Sequence, residues 1–208
     1  MRPPDETKAA LRAATKARVD ALSPSARADA SRAVCDRVTS LPDWSIARAV
    51  LLFLPATDEP DITPLLHAML AGGRLALPRV LDWAGHSINA AFVTNLDPAP
   101  PGDLVTTRHA LRQPRSDLPG TPLADLDLCL VPGRAFDRFC NRLGRGGGFY
   151  DVLLRGAETA DHPPTHRPLL VGVCFDEQIA PLVPTDDHDI RLDLVVTPTT
   201  LYDRRTAH

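Results

Sequence analysis

The stretch Arg142-Leu-Gly-Arg-Gly-Gly-Gly-Phe-Tyr-Asp151 follows an apolar run that ends at Val131 and leads into a segment with the pattern of a helix start. Its four glycines let the backbone approach a ligand closely and adopt positive φ at little steric cost. Backbone N–H groups in such a loop, together with the N-terminus of the following helix, bind anions well. Arg142 and Arg145 add guanidinium groups that suit phosphate. The stretch therefore predicts a nucleotide-phosphate site between a strand and a helix.

Two common phosphate-binding loops are excluded by the order of residues. A P-loop ends in Gly-Lys-Ser/Thr, and no lysine follows these glycines. A dinucleotide fingerprint needs Gly-x-Gly-x-x-Gly, and reading from Gly144 the last position is Phe149. The alternative is a tight strand-to-helix connection whose arginines are solvated. The two arginines, together with Asp151 as a possible ligand of a divalent ion, favour the phosphate site.

Composition limits the classes of partner. The chain has 208 residues, of which 44% are hydrophobic, enough for one domain with a core. The formal net charge is -3 and no long basic run occurs, which argues against nucleic acid. No apolar run approaches the roughly 20 residues needed to span a bilayer, so we expect no membrane insertion.

The cysteines and the N-terminus indicate the compartment. None of the four cysteines forms a Cys-x-x-Cys pair, which makes a zinc site improbable. Cys129 and Cys174 lie inside apolar runs, as buried thiols do. Residues 1–18 alternate acids and bases and contain no apolar segment of a secretory signal. We expect a cytoplasmic protein in a reducing environment.

Helices and apolar strands alternate along the chain. Helices are predicted over 5–22, from the Ser23-Pro24 start signal to about Thr39, and from Thr63 to Leu70. The continuous apolar run Ala49–Leu54 fits a strand buried on both faces of a parallel sheet. Further strands are predicted at 74–78, 88–93, 126–131, 169–175 and 192–196, with a long surface connection over 97–122. The pattern predicts an α/β fold of three α/β/α layers with a mostly parallel sheet.

Two further groups of charged residues are chemical candidates. Lys8 and Arg12 are four residues apart, so they project from one face of the first helix on successive turns. Asp186, Asp187 and Asp189 lie together in a loop before the last strand. Loop aspartates usually form turns, but their oxygens also suit Mg²⁺. Likewise, two basic residues on a helix are often only solvated.

The residues around the glycine-rich stretch carry a resemblance. Pro132-Gly-Arg-Ala-Phe-Asp137, followed by Asn141 and the stretch 142–151, resembles the signature of the 5-formyltetrahydrofolate cyclo-ligase family, also called methenyltetrahydrofolate synthetase. Two departures stand out. Cys140 lies where a glycine is common, which suggests a slightly different turn. Phe149 replaces a tyrosine, so a hydrogen bond from that hydroxyl is absent.

The resemblance spans nearly the whole chain and implies a fold and an activity. The fold is the one shared with phosphosugar isomerases and CoA transferases (NagB/RpiA/CoA-transferase-like), here preceded by two N-terminal helices, with residues 1–40 as a helical arm on a single domain, 1–208. The activity is ATP-dependent cyclisation of 5-formyltetrahydrofolate to 5,10-methenyltetrahydrofolate, with ATP and Mg²⁺ required. The expected partner is the small-molecule folate substrate, and the expected state is a monomer.

The resemblance also assigns roles by position. Lys8 and Arg12 are expected to contact the ATP triphosphate, and Arg145 is expected to be catalytic. Folate contacts are expected from Leu54, Glu59, Arg145, Gly148 and Phe149, and Arg79 was considered for the glutamate tail of the folate. Magnesium ligands are expected to be Asp151 and Asp189, with Asp193 as a fallback. The ATP-binding stretch comprises Arg142, Leu143, Gly144, Arg145, Gly146, Gly147, Gly148, Phe149 and Tyr150.

Three alternatives stay open at the level of sequence. One is an ATP-binding relative that has lost folate chemistry. Another is a phosphosugar isomerase-like enzyme on the same fold, which would need an acid–base pair and no ATP. The third, a non-enzymatic interaction module, is disfavoured by the convergence of arginines and acids. Binding of both ATP and 5-formyltetrahydrofolate would distinguish the enzyme from the other classes.

Overall fold

Ser23 and Pro24 start a helix at the position that the sequence predicts. The computed structural model describes residues 4–99, 102–108, 110–155 and 167–206, with side chains from residue 7 onward. Helix α1 spans Pro4–Asp20, and α2 spans Pro24–Thr39. The Ser23 hydroxyl accepts the N–H of Ala26 at 3.1 Å, and Pro24 lies in the first turn, where its missing N–H costs nothing.

The remaining helices are short, and the strands alternate with them. Helices α3, α4 and α5 span Pro42–Ile46, Thr63–Gly72 and Phe149–Arg155. The strands are β1 Ala49–Leu51, β2 Arg74–Asp82, β3 Ser87–Val93, β4 Leu104–Thr106, β5 Arg112–Pro114, β6 Leu128–Val131, β7 Ala135–Phe136, β8 Arg142–Leu143, β9 Leu169–Val173, β10 Leu194–Val196 and β11 Leu201–Asp203.

Seven strands form the central sheet, in the order β11-β10-β9-β6-β1-β2-β3. The five inner strands, from β10 to β2, run parallel. The two edge strands, β11 and β3, are antiparallel to their neighbours. The prediction of a mostly parallel sheet is confirmed. Strands β4 with β5 and β7 with β8 form separate two-stranded pairs.

Helices cover both faces of the sheet. On one face, Val34 and Val38 of α2 and Leu65 of α4 pack against sheet residues such as Val50. On the other face, Leu153 and Leu154 of α5 join a second apolar cluster that includes Leu51 and Cys129. The three-layer arrangement is thus the predicted one. Helix α2 packs on the sheet through Val34 and Val38, which are fully buried and each contribute on the order of 1.5–3 kcal/mol of burial energy.

The thiols are buried as predicted. All four cysteines are unpaired and buried, and burial raises the pKa of the Cys35 and Cys140 thiols to about 11. Across the part of the chain that the structure describes, no helix combines the length and the apolar character needed to cross a membrane.

Strand β2 corrects the prediction that a strand ends at Pro78. It continues to Asp82, and Pro78 pairs in register with Ala90 of β3. The antiparallel hairpin therefore overrides the local signal of the proline. Arg79 consequently lies inside the strand rather than in a loop, and it is only 4% exposed. Its guanidinium donates to the Asn89 side chain and to the backbone carbonyls of two residues of the long connection, Arg115 and Leu118.

The long connection over 97–122 is more ordered than predicted. It contains the hairpin of β4 and β5, which packs beside β2. The Gln113 side chain bonds both the N–H and the carbonyl of Val80, at 3.1 Å each, and so imitates a strand partner. Arg79 and Gln113 together fix this hairpin against the sheet.

Asp193 is the centre of a buried ion-pair network and not a free metal ligand. Its side chain is 3% exposed and accepts hydrogen bonds from Arg167, Arg204 and the Leu170 N–H. Burial alone would raise the pKa of Asp193, but these hydrogen bonds outweigh it and lower the pKa below its ordinary value. The network ties the start of β9 to the C-terminal segment after β11.

We predict that Asp193→Asn lowers the free energy of unfolding by about 2–3 kcal/mol at pH 7, because two arginines lose their buried partner. A carboxylate with a lowered pKa stabilises the fold above its unfolded pKa, and this contribution is lost as pH falls through the folded value. The difference between variant and wild type should therefore shrink below about pH 4.

Urea denaturation at pH 7 and at several values down to pH 3 measures this. Asp29→Asn is the control, because Asp29 is exposed and pairs with Arg32 one turn away, so the substitution should leave the denaturation midpoint nearly unchanged. An unfolding free energy for Asp193→Asn equal to that of wild type at pH 7 would refute the role of the network.

Candidate active site

The predicted site residues meet where the direction of the chain through the sheet reverses. From β1 the chain continues to β2 on one side, and from β6 it continues to β9 on the other side. Neighbouring parallel strands that diverge in this way leave a crevice at their carboxyl ends, where α/β proteins bind ligands. The loop 52–62 follows β1, and the loop 132–148 around β7 and β8 follows β6. The glycine-rich stretch thus lies at this crevice.

A cavity of about 610 Å³ opens at this point. Apart from Arg79 and the fallback ligand Asp193, every residue that the sequence predicted for ATP, folate or metal binding lines it. These are Lys8, Arg12, Leu54, Glu59, Arg142, Leu143, Gly144, Arg145, Gly146, Gly147, Gly148, Phe149, Tyr150, Asp151 and Asp189. Asp193, the fallback ligand, and Arg79 are not among the residues that line it.

The glycine-rich loop uses the conformational freedom of glycine at two positions. Gly146 has φ +102° and Gly148 has φ +67°, both in the region that side chains disfavour. A Cβ atom at Gly146 would lie 3.7 Å from the Arg12 guanidinium carbon. Arg12 itself donates from Nε to the Gly144 carbonyl at 2.9 Å, which fixes α1 against the loop. Helix α5 begins at Phe149, directly after the last glycine.

Lys8 is buried between two aspartates. Its Nζ lies 2.7 Å from carboxylate oxygens of both Asp186 and Asp189, and its side chain is 9% exposed. Burial opposes the charged form, but the hydrogen bonds and the two negative charges outweigh it and raise the pKa of Lys8. The ammonium is therefore charged at neutral pH and held at the cavity wall.

Arg142 pairs with the other predicted metal ligand. Its Nη2 lies 2.5 Å from Asp151 Oδ1, and its side chain is 2% exposed. Within the described residues, the Arg142 Nε and the Tyr150 hydroxyl are buried without a hydrogen-bond partner. Burial raises the pKa of Tyr150 far above its ordinary value. Unsatisfied buried donors are rare in proteins, so their presence beside the cavity is consistent with a ligand or water that satisfies them.

Arg145 joins the two loops of the crevice. Its Nη2 lies 2.5 Å from Asp58 and 2.7 Å from Glu59. Asp58 also forms an ion pair with Arg134, which lies near the start of the second loop. Asp58 and Arg134 were not predicted as site residues. In the sequence, nothing distinguishes Asp58 from an ordinary solvated acid of a loop. Glu59 is not a solvated loop residue, since its side chain is only 7% exposed.

An aromatic wall comes from the turn between β2 and β3. The Trp83 ring lies 5.2 Å from the Phe149 ring at 74°, an edge-to-face contact. The His86 ring packs 5.4 Å from Phe149, and its Nδ1 lies 2.8 Å from the Gly147 carbonyl. Phe149 thus packs against two aromatic side chains of this turn. The contribution of this turn was missed because β2 was predicted to end before it.

Cys140, the second departure from the motif, adopts φ +63°. This is the left-handed region that glycine enters freely and that costs other residues roughly 1–2 kcal/mol. The side chain is fully buried, and its Sγ donates to the carbonyls of Asp193 and Tyr202 at 3.8 and 3.7 Å. The buried contacts of the Cys140 side chain thus occur together with an unfavourable backbone conformation at this residue.

Comparison with known proteins agrees with this geometry. A family model described as the 5-formyltetrahydrofolate cyclo-ligase family matches residues 4–198. The 5-formyltetrahydrofolate cyclo-ligase of Escherichia coli (strain K12) is 31% identical over 185 residues, covering 88% of this chain and 96% of that protein. The 5-formyltetrahydrofolate cyclo-ligase of Mus musculus is 29% identical over 196 residues, covering 92% and 94%.

A solved structure shares the fold. The NMR structure of Aquifex aeolicus 5,10-methenyltetrahydrofolate synthetase superimposes with a TM-score of 0.79 at 30% identity, covering 97% of this chain and 94% of that chain. The family match extends over the two basic residues of α1, both crevice loops and the acidic loop before β10. The chain therefore belongs to the 5-formyltetrahydrofolate cyclo-ligase family.

Proposed function

We propose that the protein catalyses the ATP-dependent cyclisation of 5-formyltetrahydrofolate to 5,10-methenyltetrahydrofolate, with release of ADP and phosphate. The observation that carries the proposal is the gathering of four cations, Lys8, Arg12, Arg142 and Arg145, at one cavity at the switch point of the sheet. Membership of the family supports the same activity.

The chemistry needs charge and position more than a protein nucleophile. The formyl oxygen on N5 is an amide oxygen and a poor leaving group. Transfer of the γ-phosphoryl group of ATP to it releases ADP and gives an iminium phosphate, in which the formyl carbon is still bonded to N5. N10 then attacks this activated carbon and loses its proton, and phosphate leaves with the former formyl oxygen. The described residues that line the cavity include no Ser, Thr or Cys, which fits a reaction whose nucleophiles belong to the substrates.

Positive side chains are the protein's main contribution. Catalysis of phosphoryl transfer rests on positioning and on stabilising charge that develops on phosphate oxygens. Arg145 is proposed to meet the phosphoryl group in transfer. Lys8, Arg12 and Arg142, with the backbone N–H groups of residues 143–150, are proposed to hold the triphosphate. Leu54 and Glu59, with Gly148 and Phe149, are proposed to seat the folate.

The donor set fits Mg²⁺. Asp151 and Asp189 both line the cavity and offer carboxylate oxygens, and the described residues contain no cluster of three or more metal-binding side chains. Proteins usually bind Mg²⁺ through one or two carboxylates, while phosphates and water complete the octahedron. When bound, the ion would neutralise phosphate charge. Each proposed metal ligand is paired with a cation, Asp151 with Arg142 and Asp189 with Lys8. When Mg²⁺ and the nucleotide bind together, the acids would turn to the metal ion and the cations to the phosphates.

The wider properties are proposals of the same kind. The described strands that build the core share one sheet, which supports a single domain, 1–208. Four buried free thiols support a reducing, cytoplasmic location. We propose a monomer whose partner is the folate substrate rather than nucleic acid or a membrane. An ATP-binding relative without folate chemistry would bind ATP alone in calorimetry.

Arg145→Ala should lower kcat at least 100-fold, because the variant loses a charge that meets the transferring phosphoryl group. The measurement is the growth of methenyltetrahydrofolate absorbance after mixing protein, Mg²⁺-ATP and 5-formyltetrahydrofolate. Arg138→Ala is the matched control, because Arg138 lies in the same loop, is exposed, stacks over Phe139 and does not line the cavity. Wild-type kinetics in Arg145→Ala, or an inactive wild-type protein, would contradict the assignment.

Asp151→Asn should raise the Mg²⁺ concentration needed for half-maximal activity by about tenfold, because one carboxylate ligand becomes a neutral amide. Calorimetric titration of Mg²⁺-ATP gives an independent readout of the same loss. Asp187→Asn is the control, since Asp187 lies in the acidic loop, is exposed and does not line the cavity. Identical metal titrations for Asp151→Asn and wild type would count against Asp151 as a ligand.

A further inference from the structure

A second cavity adjoins the active-site cavity. It measures about 920 Å³ and lies between α2, α4 and residues 94–98. The two cavities share Leu54, Ala56, Glu59 and Arg112 in their walls. Leu54 and Glu59 are the residues proposed to seat the folate. The second cavity therefore begins where the folate is expected to leave the first.

The sizes of the two cavities matter because the reaction needs two substrates at once. Pockets that enclose one drug-sized ligand measure about 300–1,000 Å³. The first cavity, at about 610 Å³, contains the phosphate-binding residues and is small for a nucleotide triphosphate and a complete folate together. The second cavity supplies the space for the part of the folate that takes no part in the chemistry.

Arg112 lies at the junction of the two cavities. It is exposed, and none of the other residues described by the structure forms a hydrogen bond or ion pair with its side chain. The acids of the second cavity are already engaged. Glu59 pairs with Arg145, Asp61 accepts the Thr63 N–H, and Asp97 accepts the Ala99 N–H. Arg112 thus keeps its donors available to a ligand.

The position of Arg112 is set by its neighbours in the chain. The next residue, Gln113, bonds both backbone groups of Val80, and the buried Arg79 bonds the carbonyls of Arg115 and Leu118. Both contacts hold β5 against β2, beside the cavity. Arg79, which was considered for the substrate tail from sequence, acts through this segment instead.

We propose that Arg112 binds a carboxylate of the glutamyl tail of the substrate, which passes Leu54 and Glu59 into the second cavity. The proposal rests on the proposed function and adds a residue that determines specificity for the tail. A guanidinium forms strong, directional hydrogen bonds with a carboxylate, often two at once. The tail carboxylates are the negative charges that distinguish a folate from an analogue in which a neutral carboxamide replaces the glutamate.

The test compares two substrates, 5-formyltetrahydrofolate and 5-formyltetrahydropteroamide, an analogue in which a neutral carboxamide replaces the glutamate. Arg112→Ala should raise KM for 5-formyltetrahydrofolate about tenfold, as expected for a lost charged hydrogen bond. It should reduce the preference of kcat/KM for the glutamylated substrate by a similar factor. Arg112→Lys should retain most of that preference, and Arg112→Glu should reduce it further than alanine does. Arg32→Ala is the control, because Arg32 is an exposed arginine of α2 that pairs with Asp29 and lies outside both cavities.

The outcomes separate this inference from the proposed function. If wild type converts both substrates and Arg112→Ala keeps the wild-type preference, the role of Arg112 is refuted while the proposed function stands. An equal loss with both substrates would also refute it, since a contact with the tail cannot affect a substrate that lacks one. If wild type converts neither substrate, the proposed function fails and the inference fails with it.

Discussion

The ion pairs of Arg145 with Asp58 and Glu59 join the two loops that leave the sheet at its switch point. Asp58 lies after β1, and Arg145 lies after β6, so the pair closes the crevice between neighbouring parallel strands. Arg134 binds the same Asp58 from the beginning of the second loop. One buried carboxylate thus holds both ends of the segment 134–145. The geometry of the cavity depends on this connection.

Two cations of the cavity, Lys8 and Arg142, are paired with carboxylates before any ligand arrives. Lys8 and Arg142 are nearly buried, and a buried charge that loses its partner costs about 3–5 kcal/mol. Buried cations at the cavity wall therefore need carboxylates as partners while no phosphate is bound. Asp189 and Asp151 supply them, and the same two acids are the proposed magnesium ligands. A triphosphate with its metal ion can replace both sets of partners at once. A nucleotide without the metal would leave the two acids unpaired beside its own negative charge.

Local chemistry in the sequence predicted the glycine-rich loop, and the resemblance to the family added Lys8, Arg12, Leu54 and Glu59, which line the same cavity. The helix start at Ser23-Pro24, the i, i+4 spacing of Lys8 and Arg12, and the glycines of the loop depend on neighbouring residues, and the structure agrees with each. The layers also followed from the alternation of helices and apolar runs.

The predictions from sequence were wrong where contacts between residues distant in the chain determine the structure. Pro78 suggested a strand end, but pairing with Ala90 extends the strand and places Arg79 in the interior. The run Ala49–Leu54 was predicted as six strand residues, yet only three are in β1, because the chain turns away toward the loop that carries Asp58. The contacts of Trp83 and His86 with Phe149 depend on the same hairpin, as does the placement of Arg112. No local pattern contains these contacts.

The central claim is that the paired cations of the crevice exchange their carboxylates for a metal-bound triphosphate. A crystal structure of the protein with Mg²⁺ and a non-hydrolysable ATP analogue tests it most directly. The account predicts phosphate oxygens within hydrogen-bond distance of Lys8 and Arg142, with the ion on Asp151 and Asp189. A complex in which the nucleotide lies elsewhere and the pairs Lys8–Asp189 and Arg142–Asp151 persist would contradict it.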